Sequence, residues 1–305
     1  MANSTFSGPV RSKNGFKVIS ENTTTGEISD NSSTSISTRD TRRYYLSEYF
    51  KKRPALNAVL NTAFSDADAT AAANTAIRLA EKVANKDFEI LGTNMTTALV
   101  TFDSDRAGLV ITTAGADQDQ AIIAPHLDTN QTAWQTIKWG TENEVEWECA
   151  LSTNAIDNQK LWAGLKLTND QLIATDANQA FFKFQTDATN SEAFDDYTLL
   201  HFVLSIGGTD YISALPITVA ANTLYRLKIT IDSNRKASIF VNGIQYNVTT
   251  TSGSTGGTAV TKGTTPTAAL TDDIDLIPYI GIEAGAAAAE ALDVHYQAIS
   301  RVIYE

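Results

Sequence analysis

The stretch of the chain best suited to acid–base chemistry is ENEVEWEC, residues 142–149, in which Glu144, Glu146 and Glu148 alternate with Val145, Trp147 and Cys149. Alternate side chains of an extended strand share a face, so the pattern predicts three carboxyls on one side and three apolar groups on the other. A pair of carboxyls is what glycoside hydrolysis requires, about 5 Å apart for retention and further apart for inversion. The same alternation is also what any half-buried strand shows, with Val145, Trp147 and Cys149 in a core and the glutamates in water. No His or Arg lies close by in sequence to tune either carboxyl. The strand is therefore read as structural, and no residue is assigned a catalytic role.

The other chemistry-bearing residues give less. Trp147 and Trp162 sit inside strand patterns and are read as core. Trp134 and Trp139 flank a turn-rich segment and are the candidates for stacking on a sugar ring, since aromatic faces suit carbohydrate. His126, His201 and His295 are far apart in apolar or aromatic settings and read as satisfied structural histidines. With a single cysteine, Cys149, the chain has neither an internal disulfide nor a thiolate zinc site. Asp195–Asp196 and Asp272–Asp273 have oxygen ligands that suit calcium, but no loop spacing distinguishes them from ordinary turn residues. No phosphate loop and no Ser-His-Asp order is visible. No metal and no cofactor is expected.

The elements that would position these residues are strands. From Lys86 onward, segments such as KLWAGLKLT, AFFKFQT, YTLLHFVLSI and KASIFVNG alternate apolar with polar residues between Gly, Asp, Asn and Thr turns. Many short strands with regular turn signals and no intervening helix predict an all-β antiparallel sandwich or jelly roll. Asn242–Gly243 predicts a type I′ hairpin and Asp232–Asn234 another turn. The Gly/Thr/Ser-rich run 249–271 predicts an exposed loop. Residues 61–85 are alanine-rich and predict a linker or a short helix from Asp68 to about Ala84.

Charge divides the chain. Residues 1–60 carry nine Lys and Arg against five Asp and Glu, while the remainder holds the acidic excess of a chain whose net charge is −12. An acidic body is a poor nucleic-acid ligand, and no apolar stretch approaches the roughly 20 residues of a membrane helix. The opening residues carry no secretory pattern, so synthesis in a cytoplasm is expected. Residues 1–60 read as an extended basic arm, polar enough over 1–40 to lack a fold of its own. Its end interleaves Arg39, Arg42, Arg43, Lys51, Lys52 and Arg53 with Tyr44, Tyr45, Tyr49 and Phe50, residue types enriched at interfaces, and is read as a partner-binding segment.

The order KLWAGLKLT, FFKFQTD, HFVLSIGGTDYISALPITVAANTLYRLKITIDSNRKASIFVNG, DDIDLIPYIGIEA and ALDVHYQAISRVI resembles the concanavalin A-like lectin/glucanase sandwich, laminin-G-like in its hairpin, as it occurs in bacteriophage virion proteins. The likeness covers residues 86–305, and the opening STFSGPVRSKNGF resembles the leaders of such virion proteins. The resemblance implies a concanavalin A-like jelly roll of two antiparallel sheets. It also implies a non-enzymatic capsid decoration or cement protein on the virion, partnered by the major capsid protein and by sister subunits in a dimer or trimer. Glucanases of this fold carry E-x-D-x-E on a strand, and here Glu146 replaces the middle Asp. The alternative is a carbohydrate-binding head or tail appendage for host surface glycans, and a glycan-degrading enzyme ranks last.

Overall fold

The computed structural model describes residues 19–21, 28–30, 43–51, 54–56, 88–103, 108–125, 133–134, 137–186 and 192–303. The expected helix at 68–84 and the sites Arg39, Arg42, Lys52 and Arg53 lie outside them. Contacts divide the chain into Met1–Thr38 and Arg39–Glu305. In the first unit, β1 (Ile19–Glu21) and β2 (Ile28–Asp30) form an antiparallel pair.

The second unit is all-β among the described residues, apart from three single 3-10 turns. Its strands begin with β3 (Arg43–Glu48), β4 (Ala55–Leu56), β5 (Phe88–Leu91), β6 (Val100–Phe102), β7 (Leu109–Thr112) and β8 (Gln120–Pro125). They continue through β9 (Ala133–Trp134), β10 (Ile137–Lys138), β11 (Glu146–Thr153), β12 (Gln159–Lys166), β13 (Gln179–Gln185) and β14 (Leu199–Ile206). The last are β15 (Thr209–Thr218), β16 (Tyr225–Ile231), β17 (Ala237–Val241), β18 (Ile244–Tyr246), β19 (Ile277–Ala284) and β20 (Ala291–Val302). One sheet runs β18-β17-β16-β11-β20-β7-β6 with β3 added on β20, and the other runs β15-β14-β13-β12-β19-β8-β5-β4. All pairs are antiparallel except β4 with β5. This is the expected jelly-roll sandwich.

Alternation builds the core. Trp147, Cys149 and Leu151 of β11, with Leu227, Ile229 and Ile231 of β16, meet Leu161, Ala163 and Leu165 of β12 and Phe182 and Phe184 of β13 between the sheets. The hairpins form as the turn residues dictate. Asn242 and Gly243 both take positive φ (51° and 81°), the mirror-image turn that suits twisted strands. The loop 249–271 is largely exposed but fastened down: the Val260 N–H donates to Ala214 O at 2.8 Å and the Thr267 N–H to Ala237 O at 2.9 Å. It thereby bridges the outer strands of both sheets, whose edges would otherwise be open.

One expectation needs correction. The basic-aromatic segment does not stand apart as an arm, because Arg43–Glu48 is a strand of the sandwich, paired with β20 from Arg43↔Val302 to Glu48↔Gln297. The physical reason is length. β20 has twelve residues, β7 pairs only with Ala291–Val294, and the second half would leave its main-chain groups unpaired without β3. Leu46 and Phe50 are buried in the core as a result. The outer face of the β12-containing sheet is itself covered. Trp162, Phe181, Val203 and Tyr279 form a second apolar layer on it with Ile173 and Phe194 from the overlying loops.

Candidate active site

β11 is the central strand of its sheet, with β16 on one side and β20 on the other. Glu146 and Glu148 both face away from the core and lie opposite Thr230 and Lys228 on β16 and Ser300 and Ala298 on β20. Glu144 is not in that row. It ends the 3-10 turn Thr141–Asn143 with φ 48°, in the left-handed region, so the sequence pattern of three carboxyls reduces to two.

The two carboxyls sit in unlike surroundings. Glu146 lies between two cations, 3.7 Å from the Arg43 guanidinium and 3.3 Å from Lys228 Nζ. Arg43 is held there because it also donates to Glu144 O at 2.6 Å and to Ser300 Oγ at 3.0 Å. Glu148 is only 7% exposed and accepts a 2.8 Å hydrogen bond from Tyr296 Oη. Burial raises its carboxyl above the ordinary value, with the Tyr296 hydrogen bond and Lys228 opposing and Glu146 adding to the rise. The Tyr296 ring packs 4.8 Å from that of Tyr49, which is 57% exposed. The surface thus presents a dry acid, a cation-flanked carboxylate and an open aromatic face along one sheet. Neighbouring titratable groups with divergent environments are the usual basis for dividing acid and base roles.

A second polar constellation lies on the outer face of the other sheet and is sealed. Lys160, Lys166 and Lys183 are fully buried there. Lys160 pairs with Glu283 at 2.8 Å, and Lys166 with Asp176 at 3.1 Å and with Gln179. Lys183 donates to Gln171 O and Oε1 at 2.7 and 2.8 Å and lies 3.5 Å from Glu192. Burial pushes Lys183 down to about 8 and lowers Lys166. Each cation already has its partners under the covering loops, so this face is structural.

The segment read as partner-binding is divided. Tyr44 packs 5.8 Å from Trp139, Phe50 is fully buried, and Tyr49 and Lys51 are exposed, while Tyr45 is half-buried. Trp139, a stacking candidate, is fully buried in the core and cannot meet a sugar. Trp134 is on β9, paired with Ile137. His201 is not the satisfied histidine expected. It is buried, stacked on Phe194 at 3.9 Å, and neither ring nitrogen has a hydrogen-bond partner among the described residues. Burial pushes it down to about 4. His126 is outside the described residues. His295 stands among Asp103, Asp293 and Ser152 rather than in an apolar setting.

Sequence reasoning also missed the partners of the carboxyl pair. It found no tuning group near ENEVEWEC because Arg43 lies about a hundred positions upstream and Tyr296 well downstream. The only available signal was the placement of a Tyr/Arg cluster in an otherwise polar leader.

No family model matches the chain, and no curated protein matches its sequence. Solved structures do match its shape. A protein of unknown function from Shewanella oneidensis MR-1 superposes over 86% of this chain and 87% of its own, with 10% identity and a TM-score of 0.49. The Bacillus licheniformis β-glucanase covers 84% and 97% at 11% identity and TM-score 0.44, and the family 7 alginate lyase A1-II′ covers 68% and 85% at 13% and 0.42. At these identities the likeness concerns the fold. The expectation of a non-enzymatic capsid decoration protein is corrected, because part of the segment that was to attach it to a capsid is a strand of the sandwich.

Proposed function

We propose that the protein cleaves glycans on the outer face of the sheet centred on β11, with Glu148 as general acid, Glu146 as the partner carboxylate and Tyr49 as a stacking platform for a sugar ring. One observation carries this: two neighbouring outward carboxyls of which one is dried beneath Tyr296 and raised while the other lies between Arg43 and Lys228. The protonated Glu148 gives its proton to the glycosidic oxygen as the bond from the anomeric carbon breaks. A water activated by Glu146 attacks the anomeric carbon as that bond breaks and gives its proton to Glu146.

Reducing-sugar release from a panel of β-glucans, xylans and uronans tests the reading. Glu148→Gln and Glu146→Gln should each lower the rate by about 10²–10⁴, the usual contribution of acid–base catalysis. Activity of the parent should also decline as pH rises through the raised value of Glu148, because the acid must hold its proton. A parent chain inert on every glycan, or Gln variants with full activity, would refute it.

A further inference from the structure

The β6–β7 turn and the start of β20 bring a second set of side chains together on the same sheet face. Asp103 directly follows β6, and its N–H donates to Gly108 O at 3.2 Å, closing the turn beside β20. The register of β20 against β11 shifts between Ala150 and Leu151, which face Tyr296 and Val294, so His295 is the extra residue of a β-bulge. Bulges re-aim side chains, and this one puts His295 on the outward face beside Asp293. One ligand atom from each of Asp103, Asp293 and His295 falls within 4.8 Å of the others.

The surroundings are shaped around the imidazole. His295 Nδ1 is 3.9 Å from Asp103 Oδ2, and Nε2 is 3.5 Å from Ser152 Oγ. Ser152, fully buried on β11, donates to Asp293 Oδ2 at 3.3 Å. Gly108 lets the backbone approach the ring: at φ +140°, a Cβ there would stand 2.8 Å from His295 Cα and 2.9 Å from Nδ1. Ser152, His295 and Asp103 also have the connectivity of a hydrolytic triad, but the Ser152 hydroxyl is buried and already committed to Asp293, so no substrate carbonyl reaches it.

We propose that Asp103, Asp293 and His295 form a binding site for a divalent transition ion, Zn²⁺ or Mn²⁺, with Ser152 orienting Asp293. Tetrahedral ligand bonds of about 2.0–2.2 Å place ligand atoms roughly 3.3–3.6 Å apart, so side-chain rotations that bring the three groups about 1 Å closer complete the site. The imidazole nitrogen selects against Ca²⁺ and Mg²⁺, which take oxygen ligands.

Titration of the chelator-treated full chain with ZnCl₂ and MnCl₂ by calorimetry, with CaCl₂ and MgCl₂ alongside, is the test. We expect one equivalent of Zn²⁺ or Mn²⁺ bound and a melting temperature that rises with free metal. His295→Gln and Asp293→Asn should each weaken binding at least tenfold with an unchanged far-ultraviolet circular dichroism spectrum. Glu146→Gln and Glu148→Gln should leave binding intact, which separates this site from the glycan reading. Absence of a bound equivalent, binding indifferent to both His295→Gln and Asp293→Asn, or Ca²⁺ binding as tightly as Zn²⁺ would each overturn the proposal. If His295→Gln does not fold, Asp103→Asn read by the Mn²⁺ electron spin resonance signal decides it.

Discussion

Replacing Phe50 by Ala distinguishes a strand-borne core residue from a residue of a free arm. Phe50 has no exposed surface, and its ring meets Phe88 edge-on at 5.5 Å between centroids. Truncating a buried Phe typically costs about 3–5 kcal/mol, combining lost transfer free energy with the cavity left behind. In a domain of this size each kcal/mol lowers the midpoint by about 2–4 °C, so the substitution should lower it by roughly 6–20 °C. Tyr49, one position earlier, supplies the contrast. It is mostly exposed and touches Tyr296, so Tyr49→Ala should remove only the aromatic pair, roughly 0.5–1.5 kcal/mol. Differential scanning calorimetry of both variants is the assay. A Phe50→Ala protein melting within about 2 °C of the parent would refute the placement of this segment in the core.

Two further predictions concern pH. Lys183, pushed by burial from 10.5 down to about 8, holds its proton less firmly folded than unfolded, so stability should rise as pH goes from about 8 toward 10.5. Urea denaturation across that range should show the rise in the parent and lose it in Lys183→Met. His201, lowered by burial from 6.5 to about 4, takes up a proton more readily when unfolded, so stability should fall as pH drops from 6.5 to about 4. His201→Phe, which keeps a ring against Phe194, should flatten that slope, and an unchanged slope would rule out His201 as its source.

How much of this was legible in the sequence depends on how far each residue's partner lies along the chain. β16 and β17 carry their own signature, because the side facing the core is apolar at every second position and the other side is more open to water. The Asn242–Gly243 turn is likewise local. β12 and β13 mislead for a physical reason. Lys160 alternates with Leu161, and Lys183 with Phe182 and Phe184, a pattern that reads as a solvated face. The overlying Gln171 and Glu192 make it an interior one, and no periodicity encodes a loop's path.

The candidate sites were the least legible part because each depends on β20. That strand supplies Tyr296 to Glu148, Ser300 to Arg43, and Asp293 and His295 to Asp103. It also pairs with β3, so the approach of Arg43 to Glu146 depends on β20 lying between β3 and β11. β3 and Tyr49 therefore complete a surface made of residues roughly a hundred and two hundred and fifty positions away. The tyrosines and arginine of this segment do lie at an interface, one formed within the chain. The residue types that mark binding between proteins mark intramolecular docking equally well, since both exchange water for aromatic and guanidinium contacts. Composition alone cannot separate the two, whereas an unpaired half of a twelve-residue strand can, because its main-chain groups require a partner.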